Sequence, residues 1–290
     1  MGAMTDFRQG LPFKASAKIN FGLRITERRT DGFHTIETVF HRVNLHDEIT
    51  LEPNRRICVE STDAAAPSDA SNLCHKAAAL LQQEAGVETG VLIRLRKHIP
   101  VGAGLGGGSA DAAKILLELP AWWGTTFDKL TLFKLALRLG SDVPFFLGES
   151  SAYALGRGEI LEYFDLDVPY AILVCTPRVS ISSRWAYRQI APIRRGKPDL
   201  RTLIQEGMKH PEILRNEVVN DFEEPVCAAF PAIRELKHTL EQSGAVFASL
   251  SGSGSSVYGL FVNEQDAEAA SRTMRSRGCG TSVTPPHFRG

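Results

Sequence analysis

The segment Pro-Val-Gly-Ala-Gly-Leu-Gly-Gly-Gly-Ser-Ala-Asp-Ala-Ala, Pro100–Ala113, limits what this chain can fold into more than any other stretch. Five of the seven residues from Gly102 to Gly108 are glycine, which strips Cβ atoms from the loop and lets successive backbone N–H groups converge on an anion. A strand pattern precedes it, with Val91, Ile93 and Leu95 alternating with Leu92, Arg94 and Arg96, and a helical pattern follows through Leu119. With Ser109, Ala110 and Asp111 opening that helix, the turn reads as a phosphate cradle, because unpaired amides and the positive end of the helix dipole favour negative charge there. It is not a Walker A loop, since no Gly-Lys-Ser/Thr follows, and not a dinucleotide fingerprint, since no acidic residue ends a strand about twenty residues on. A plain connector is the poorer alternative, because so many glycines cost folding entropy with no packing return.

Composition narrows the partners. Lys plus Arg and Asp plus Glu both number 33, so the formal net charge is zero and no general basic field for nucleic acid or anionic lipid is present. A local basic site stays open. The 290 residues suit two domains, and 43% hydrophobic with 23% charged residues is the balance of a folded globular chain. Five widely spaced cysteines, Cys58, Cys74, Cys175, Cys227 and Cys279, form no CxxC pair, so they are expected to be reduced packing residues. His34, His41 and His46 lack metal-ligand spacing, and no structural metal is expected. No stretch nears the roughly 18 apolar residues of a membrane span, and the first ten residues hold no signal-peptide core. A cytoplasmic location is the expectation.

Along the chain, strand patterns run over Lys18–Arg24 and Ile36–Val43, then over the short runs Asp47–Pro53 and Arg56–Glu60 bounded by Pro and Asn. A polar loop, Asp63–Asn72, ends in an N-cap candidate, and Leu73–Ala85 reads as a helix with Leu73, Ala77, Leu80 and Leu81 on one face and Gly86 as its stop. A second helix is expected over Asp128–Leu139, closing at Gly140 before Ser-Asp-Val-Pro-Phe-Phe. Ser151–Leu155 and Ile160–Phe164 form a hairpin pattern, and Tyr170–Cys175 is an apolar strand. Helices follow to about Gly244, broken at the basic Arg194–Asp199, then strands around Leu250–Tyr258, a helix over Glu264–Arg277 and a last strand near Ser282. The domain boundary is placed near Leu166, giving 1–166 and 167–290.

Three further segments could carry chemistry. Lys18 and Asn20 fall two apart on one face of the first strand, although a strand lysine is commonly just solvated. Asp142 sits between a helix end and the apolar Pro144-Phe145-Phe146, a position that a turn aspartate also explains. Leu-Ser-Gly-Ser-Gly-Ser-Ser, Leu250–Ser256, is a second Gly/Ser loop that a simple hairpin accounts for equally well.

Taken in order, Ala-Lys-Ile-Asn (Ala17–Asn20), Asp-Gly-Phe-His-Thr-Ile-Glu-Thr (Asp31–Thr38), the glycine turn, Leu-Gly-Ser-Asp-Val-Pro-Phe-Phe (Leu139–Phe146) and Leu-Ser-Gly-Ser-Gly-Ser-Ser-Val-Tyr (Leu250–Tyr258) resemble the galactokinase, homoserine kinase, mevalonate kinase and phosphomevalonate kinase (GHMP) superfamily. The first two segments resemble most the branch that phosphorylates 4-diphosphocytidyl-2-C-methyl-D-erythritol on its 2-hydroxyl, in the non-mevalonate route to isoprenoids. The resemblance spans about Ala15 to Pro286. It implies an α+β fold of two domains, the first like the second domain of ribosomal protein S5 and the second ferredoxin-like. It also implies ATP and Mg²⁺, with Lys18 and Asp142 flanking the acceptor hydroxyl, Asp142 as general base. Pro100, Gly102, Gly104, Leu105, Gly106, Gly107, Gly108 and Ser109 are assigned to the ATP phosphates, Ser109 also to the metal, and Asn72 and Lys97 to the adenosine end. For the acceptor it assigns His34 to the cytosine edge, Phe33 and Tyr187 to the two faces of the base, Asn20 to the methylerythritol end, and Gly252 and Ser253 to substrate as well. Phe33 stands where the family often has tyrosine, which keeps the ring face and removes the hydroxyl. Asn220-Asp221-Phe222-Glu223 matches a family segment read as structural capping. A small-molecule substrate, with no nucleic acid or membrane partner, is the implied company. The competing expectations are a sister kinase for homoserine or mevalonate, and an S5-like RNA-binding module without catalysis.

Overall fold

The computed structural model describes residues 12–191 and 198–289. In chain order the elements are β1 (Phe13–Arg28), β2 (His34–Asn54), β3 (Cys58–Ser61), α1 (Leu73–Ala85), β4 (Gly90–Arg96), α2 (Gly107–Trp122), α3 (Lys129–Leu139), a 3₁₀ turn (Val143–Leu147), β5 (Ser151–Leu155), β6 (Ile160–Phe164), β7 (Ala171–Thr176), α4 (Ser183–Arg188), α5 (Leu200–Gly207), α6 (Pro211–Glu217), α7 (Glu223–Ala229), α8 (Pro231–Gln242), β8 (Phe247–Leu250), β9 (Val257–Phe261), α9 (Glu264–Ser276) and β10 (Gly280–Thr284). They group into two compact units that are each discontinuous in sequence. One holds the described part of Met1–Ser16 with His46–Val101 and Gly107–Leu147, and the other holds Ala17–Leu45, Gly102–Gly106 and the described part of Gly148–Gly290.

In the first unit, β4 pairs antiparallel with the Glu48–Asn54 half of β2 and parallel with β3. Val91, Ile93 and Leu95 are buried, as their alternation predicts. The α1 helix begins at Asn72, whose side chain accepts a hydrogen bond from the Cys74 amide, and ends at Gly86 in the left-handed region (φ 63°). Its buried face is Cys74, Ala77, Ala78 and Leu81. The expected stripe through Leu73 and Leu80 is therefore turned by about one residue, because the i, i+3, i+4, i+7 set starting at Cys74 is the one that packs. Alanines at 110, 112 and 113 give α2 a low-relief buried face beneath its glycine start.

In the second unit, Thr38–Phe40 of β2 pairs antiparallel with β5, and β5 with β6, the hairpin expected from the sequence. A second sheet has the order β10-β7-β9-β8, antiparallel throughout. With helices between β7 and β8 and α9 between β9 and β10, this is the ferredoxin-like arrangement. Its core includes Leu23, Leu173, Phe222, Leu240, Phe261 and Met274.

Two expectations about element bounds need correction. The runs 36–43 and 47–53 are one 21-residue strand, since β2 changes partner from β5 to β4 without interrupting its own pleat. The α2 helix starts at Gly107, two residues before Ser109, because the last three glycines of the turn divide between loop and helix. Most of the basic break Arg194–Asp199 lies outside the described residues.

Candidate active site

Lys18 and Asn20 are adjacent inward positions of β1, and both are buried, at 4% and 1% exposure. The Lys18 ammonium donates to Asn20 Oδ1 at 2.6 Å and to the Gly104 carbonyl at 3.2 Å, with the Phe40 ring centroid 5.0 Å away. Removing an ammonium from water costs several kcal/mol unless oriented acceptors replace the hydration shell, and the Asn20 and Gly104 oxygens are two such acceptors. The loop behind it is double. Lys18 N–H donates to Leu105 C=O, Ser256 N–H to Ala103 C=O, and Ser251 Oγ to Gly104 C=O at 3.0 Å. Gly104 has φ +79°, and a Cβ there would overlap the Ser251 carbonyl, so only glycine lets the two Gly/Ser loops close on each other. Gly252 lies over the same spot, where a Cβ would stand 3.2 Å from Asn20 Oδ1 and 3.7 Å from Lys18 Nζ. Ser253 is buried, its hydroxyl 3.0 Å from Ser183 Oγ. The loop of Leu250–Ser256 is thus a hairpin connection between β8 and β9 and a wall of the lysine site at once.

The same unit carries the aromatic residues. Asp31 accepts from the Phe33 amide, which holds its carboxyl below the usual range with Arg29 assisting, and fixes the β1–β2 turn. Phe33 is 53% exposed, with the Arg157 guanidinium 4.9 Å from its ring centroid. His34 is half-buried and stacked on Tyr187, centroids 5.2 Å apart and planes 23° apart, and Tyr187 meets Phe222 edge-on at 4.9 Å. Burial, with Arg28 nearby, lowers the His34 pKa, so the ring is neutral at pH 7 and offers one donor and one acceptor.

In the first unit, the start of α2 presents the backbone of Gly107, exposed Gly108 and half-buried Ser109. The first four amides of a helix have no partner inside it. Gly107 lies against Ile99, where a Cβ would stand 2.8 Å from Cγ2, and Gly108 against Leu73. Asn72 is committed on both sides of its amide, to Cys74 N–H and to the Pro67 carbonyl at 2.6 Å. Lys97 is buried between Asp111, at 2.5 Å, and Asp47, whose other oxygen accepts the His98 and Ile99 amides. Burial works against the Lys97 charge, yet the two carboxylates outweigh it and raise its pKa. Burial lifts the Asp111 carboxyl to about 7 against the pull of Lys97, with the Asp47 charge adding to the rise. Asp142 is half-buried one residue before the 3₁₀ turn, and Pro100 is half-buried at the loop entry. Leu105 is 1% exposed, so its side chain belongs to the core and only its backbone can face a ligand.

A model of the GHMP kinases N terminal domain matches residues 72–162, and one of the GHMP kinases C terminal domain matches residues 199–278. The 4-diphosphocytidyl-2-C-methyl-D-erythritol kinase of Prosthecochloris aestuarii is 47% identical over 287 residues, covering 97% of this chain and 99% of that protein. The chain belongs to the 4-diphosphocytidyl-2-C-methyl-D-erythritol kinase family of GHMP kinases. The Chlorobium limicola member of that family is 44% identical, covering 95% of this chain and 96% of its own. A crystal structure of a 4-(cytidine 5'-diphospho)-2C-methyl-D-erythritol kinase superposes with TM-score 0.81 at 34% identity, over 95% of this chain and 99% of that one. A homoserine kinase from Cytophaga hutchinsonii, at TM-score 0.65 and 20% identity over 99% of this chain and 97% of its own, shares the fold. The α+β expectation with GHMP N- and C-terminal domains therefore holds.

Reading the sequence missed Asp47, Asp111, Thr38 and Ser251. Asp111 did carry a signal, a lone acid inside Ala-Asp-Ala-Ala-Lys-Ile-Leu-Leu, since a buried acid in a small-residue helix face needs a cation. Asp47 and Lys97 are fifty residues apart and share no local pattern. Asn220 exceeds the capping role expected of it. Its amide nitrogen donates to Leu250 and Gly252 carbonyls while its oxygen accepts the Phe222 amide, which ties the Gly/Ser loop to the start of α7.

Proposed function

We propose that this chain transfers the γ-phosphoryl group of ATP to the 2-hydroxyl of 4-diphosphocytidyl-2-C-methyl-D-erythritol, in the non-mevalonate route to isoprenoid precursors, in the cytoplasm. The observation that carries the reading is the buried Lys18 ammonium donating to Asn20 Oδ1 and to the Gly104 carbonyl of the glycine loop, in a chain 47% identical to a kinase of that name. An alcohol has a pKa far above 7, so attack on phosphorus gains from a carboxylate that takes the proton as the bond forms. Asp142 is proposed for that role. Lys18 then steadies the charge developing on the transferred group, and Asn20 keeps the ammonium in one orientation.

The amides of Gly106, Gly107, Gly108 and Ser109 are proposed to bind the triphosphate at the N-terminus of α2, with Gly102, Gly104 and the backbone of Pro100 and Leu105 shaping the loop. Asn72 and Lys97 are proposed at the adenosine end. The Ser109 hydroxyl suits Mg²⁺ as a single neutral oxygen, a cation that takes few protein ligands when phosphate oxygens supply the rest. When bound, Mg²⁺ neutralises phosphate charge. His34 is proposed to read the cytosine edge, Phe33 and Tyr187 to stack on the base, and Gly252 and Ser253 to border the acceptor. Along the chain, the proposed division is an ATP-side domain, 1–166, and a second domain, 167–290.

Purified protein assayed for ADP release tests this directly. Release with the cytidyl compound and none with mevalonate or homoserine is expected. Turnover of mevalonate without the cytidyl compound would refute it, and tight RNA binding with no nucleotide turnover would favour a binding module.

A further inference from the structure

The Lys18 site includes a residue that touches neither Lys18 nor the glycine loop. Thr38 lies on β2 and is fully buried. Its hydroxyl donates to the Gly22 carbonyl at 2.6 Å. A hydroxyl has one proton, so with that proton committed Thr38 Oγ1 can only accept from the neighbouring amide, and Asn20 Nδ2 donates to it at 2.9 Å. The amide is thereby turned with its nitrogen to Thr38 and its oxygen to Lys18 Nζ, 2.6 Å away. A flipped amide would set oxygen against a committed hydroxyl at one end and an NH₂ group against an ammonium at the other. The far end of the chain of bonds is itself fixed. Gly22 has φ +67°, and a Cβ there would stand 2.9 Å from Leu200 Cδ2 and 3.2 Å from the Val219 carbonyl.

We infer that Thr38 is a positioning residue for phosphoryl transfer, acting through the Asn20 amide to hold the Lys18 ammonium in its working orientation. The inference rests on the reading of Lys18 given above. Thr38 touches no reacting atom. Its loss removes the acceptor of the Asn20 Nδ2 group and a donor to the Gly22 carbonyl, and frees the amide to turn.

The test is steady-state ADP release at saturating ATP and acceptor for Thr38→Val, Thr38→Cys, Thr38→Ser, Asn20→Ala and the Thr38→Val/Asn20→Ala pair. Thr38→Val is expected to lower kcat roughly tenfold to 100-fold, the scale of a buried hydrogen bond left unmade, with KM for ATP unchanged. Thr38→Ser restores kcat, because it keeps the hydroxyl. In the double variant the valine adds no further loss to that of Asn20→Ala, since its effect runs through that amide. A wild-type kcat in Thr38→Val, or multiplying losses in the double variant, overturns the inference. Should Thr38→Val not fold, Thr38→Cys keeps the volume with a poorer donor, and full kcat there overturns it equally. Lys18→Met separates the two claims. An active Lys18→Met protein refutes the reading of the site, whereas an inactive one beside a fully active Thr38→Val protein refutes the relay alone.

Discussion

Two buried lysines, one in each unit, are held by different sets of neighbours. Lys97 sits between two carboxylates, Asp47 and Asp111, with side-chain exposures of 4%, 0% and 3%. Lys18 is met by the Asn20 amide oxygen, the Gly104 carbonyl and the face of Phe40. The first arrangement joins β2, the end of β4 and α2 through charged groups. In the second, the Asn20 and Gly104 oxygens orient the ammonium.

The comparison breaks most easily at Lys97. Lys97→Met leaves two carboxylates facing each other in the interior, and a loss of about 3–5 kcal/mol of unfolding free energy is expected in urea titrations. A variant as stable as wild type would mean that the cluster does not hold the fold. Asp142→Ala should lower turnover at least ~100-fold with little change in ATP affinity, the scale of a lost general base. Unchanged turnover removes Asp142 from that role.

A subtler break uses pH. Burial holds the fully buried His41, hydrogen-bonded to Ser151, down at about 4. Its folded pKa lies below the unfolded value, so its contribution is intact above about 6.5 and is lost as pH falls toward 4. Asp111 has the opposite sign. Its folded pKa is raised, so the folded state binds the extra proton between about 4 and 7 and gains stability as pH falls through that window. The two slopes oppose each other. Asp111→Asn should remove one and steepen the fall of Tm between pH 6.5 and 4, and an unchanged slope would show that Asp111 does not hold a proton there. The smallest effect is expected at the aromatic end. His34→Ala, which removes the ring stacked on Tyr187, should raise KM for the cytidyl substrate up to about tenfold and spare kcat.

Local pattern made much of this legible. Asn72 and Gly86 bound α1 where capping chemistry puts them, the period-2 alternation buries Val91, Ile93 and Leu95, and the i, i+2 spacing of Lys18 and Asn20 does place both groups within one hydrogen bond. What stayed hidden depends on partners distant in sequence. The continuity of β2 through Asn44 and His46 follows from a change of neighbour, from β5 to β4, that no alternation encodes. The Lys97–Asp47 pair joins residues fifty positions apart, which no local pattern marks. Thr38 read only as part of a strand, because its role follows from a proton whose destination, Gly22 C=O, lies on another strand.

The central proposal is that Lys18 serves phosphoryl transfer. Single-turnover phosphoryl transfer by Lys18→Met, at saturating ATP and cytidyl substrate and with its Tm measured alongside, tests it most directly. The account predicts a loss of at least ~100-fold in rate with a folded protein. Wild-type turnover in a folded Lys18→Met protein would contradict it.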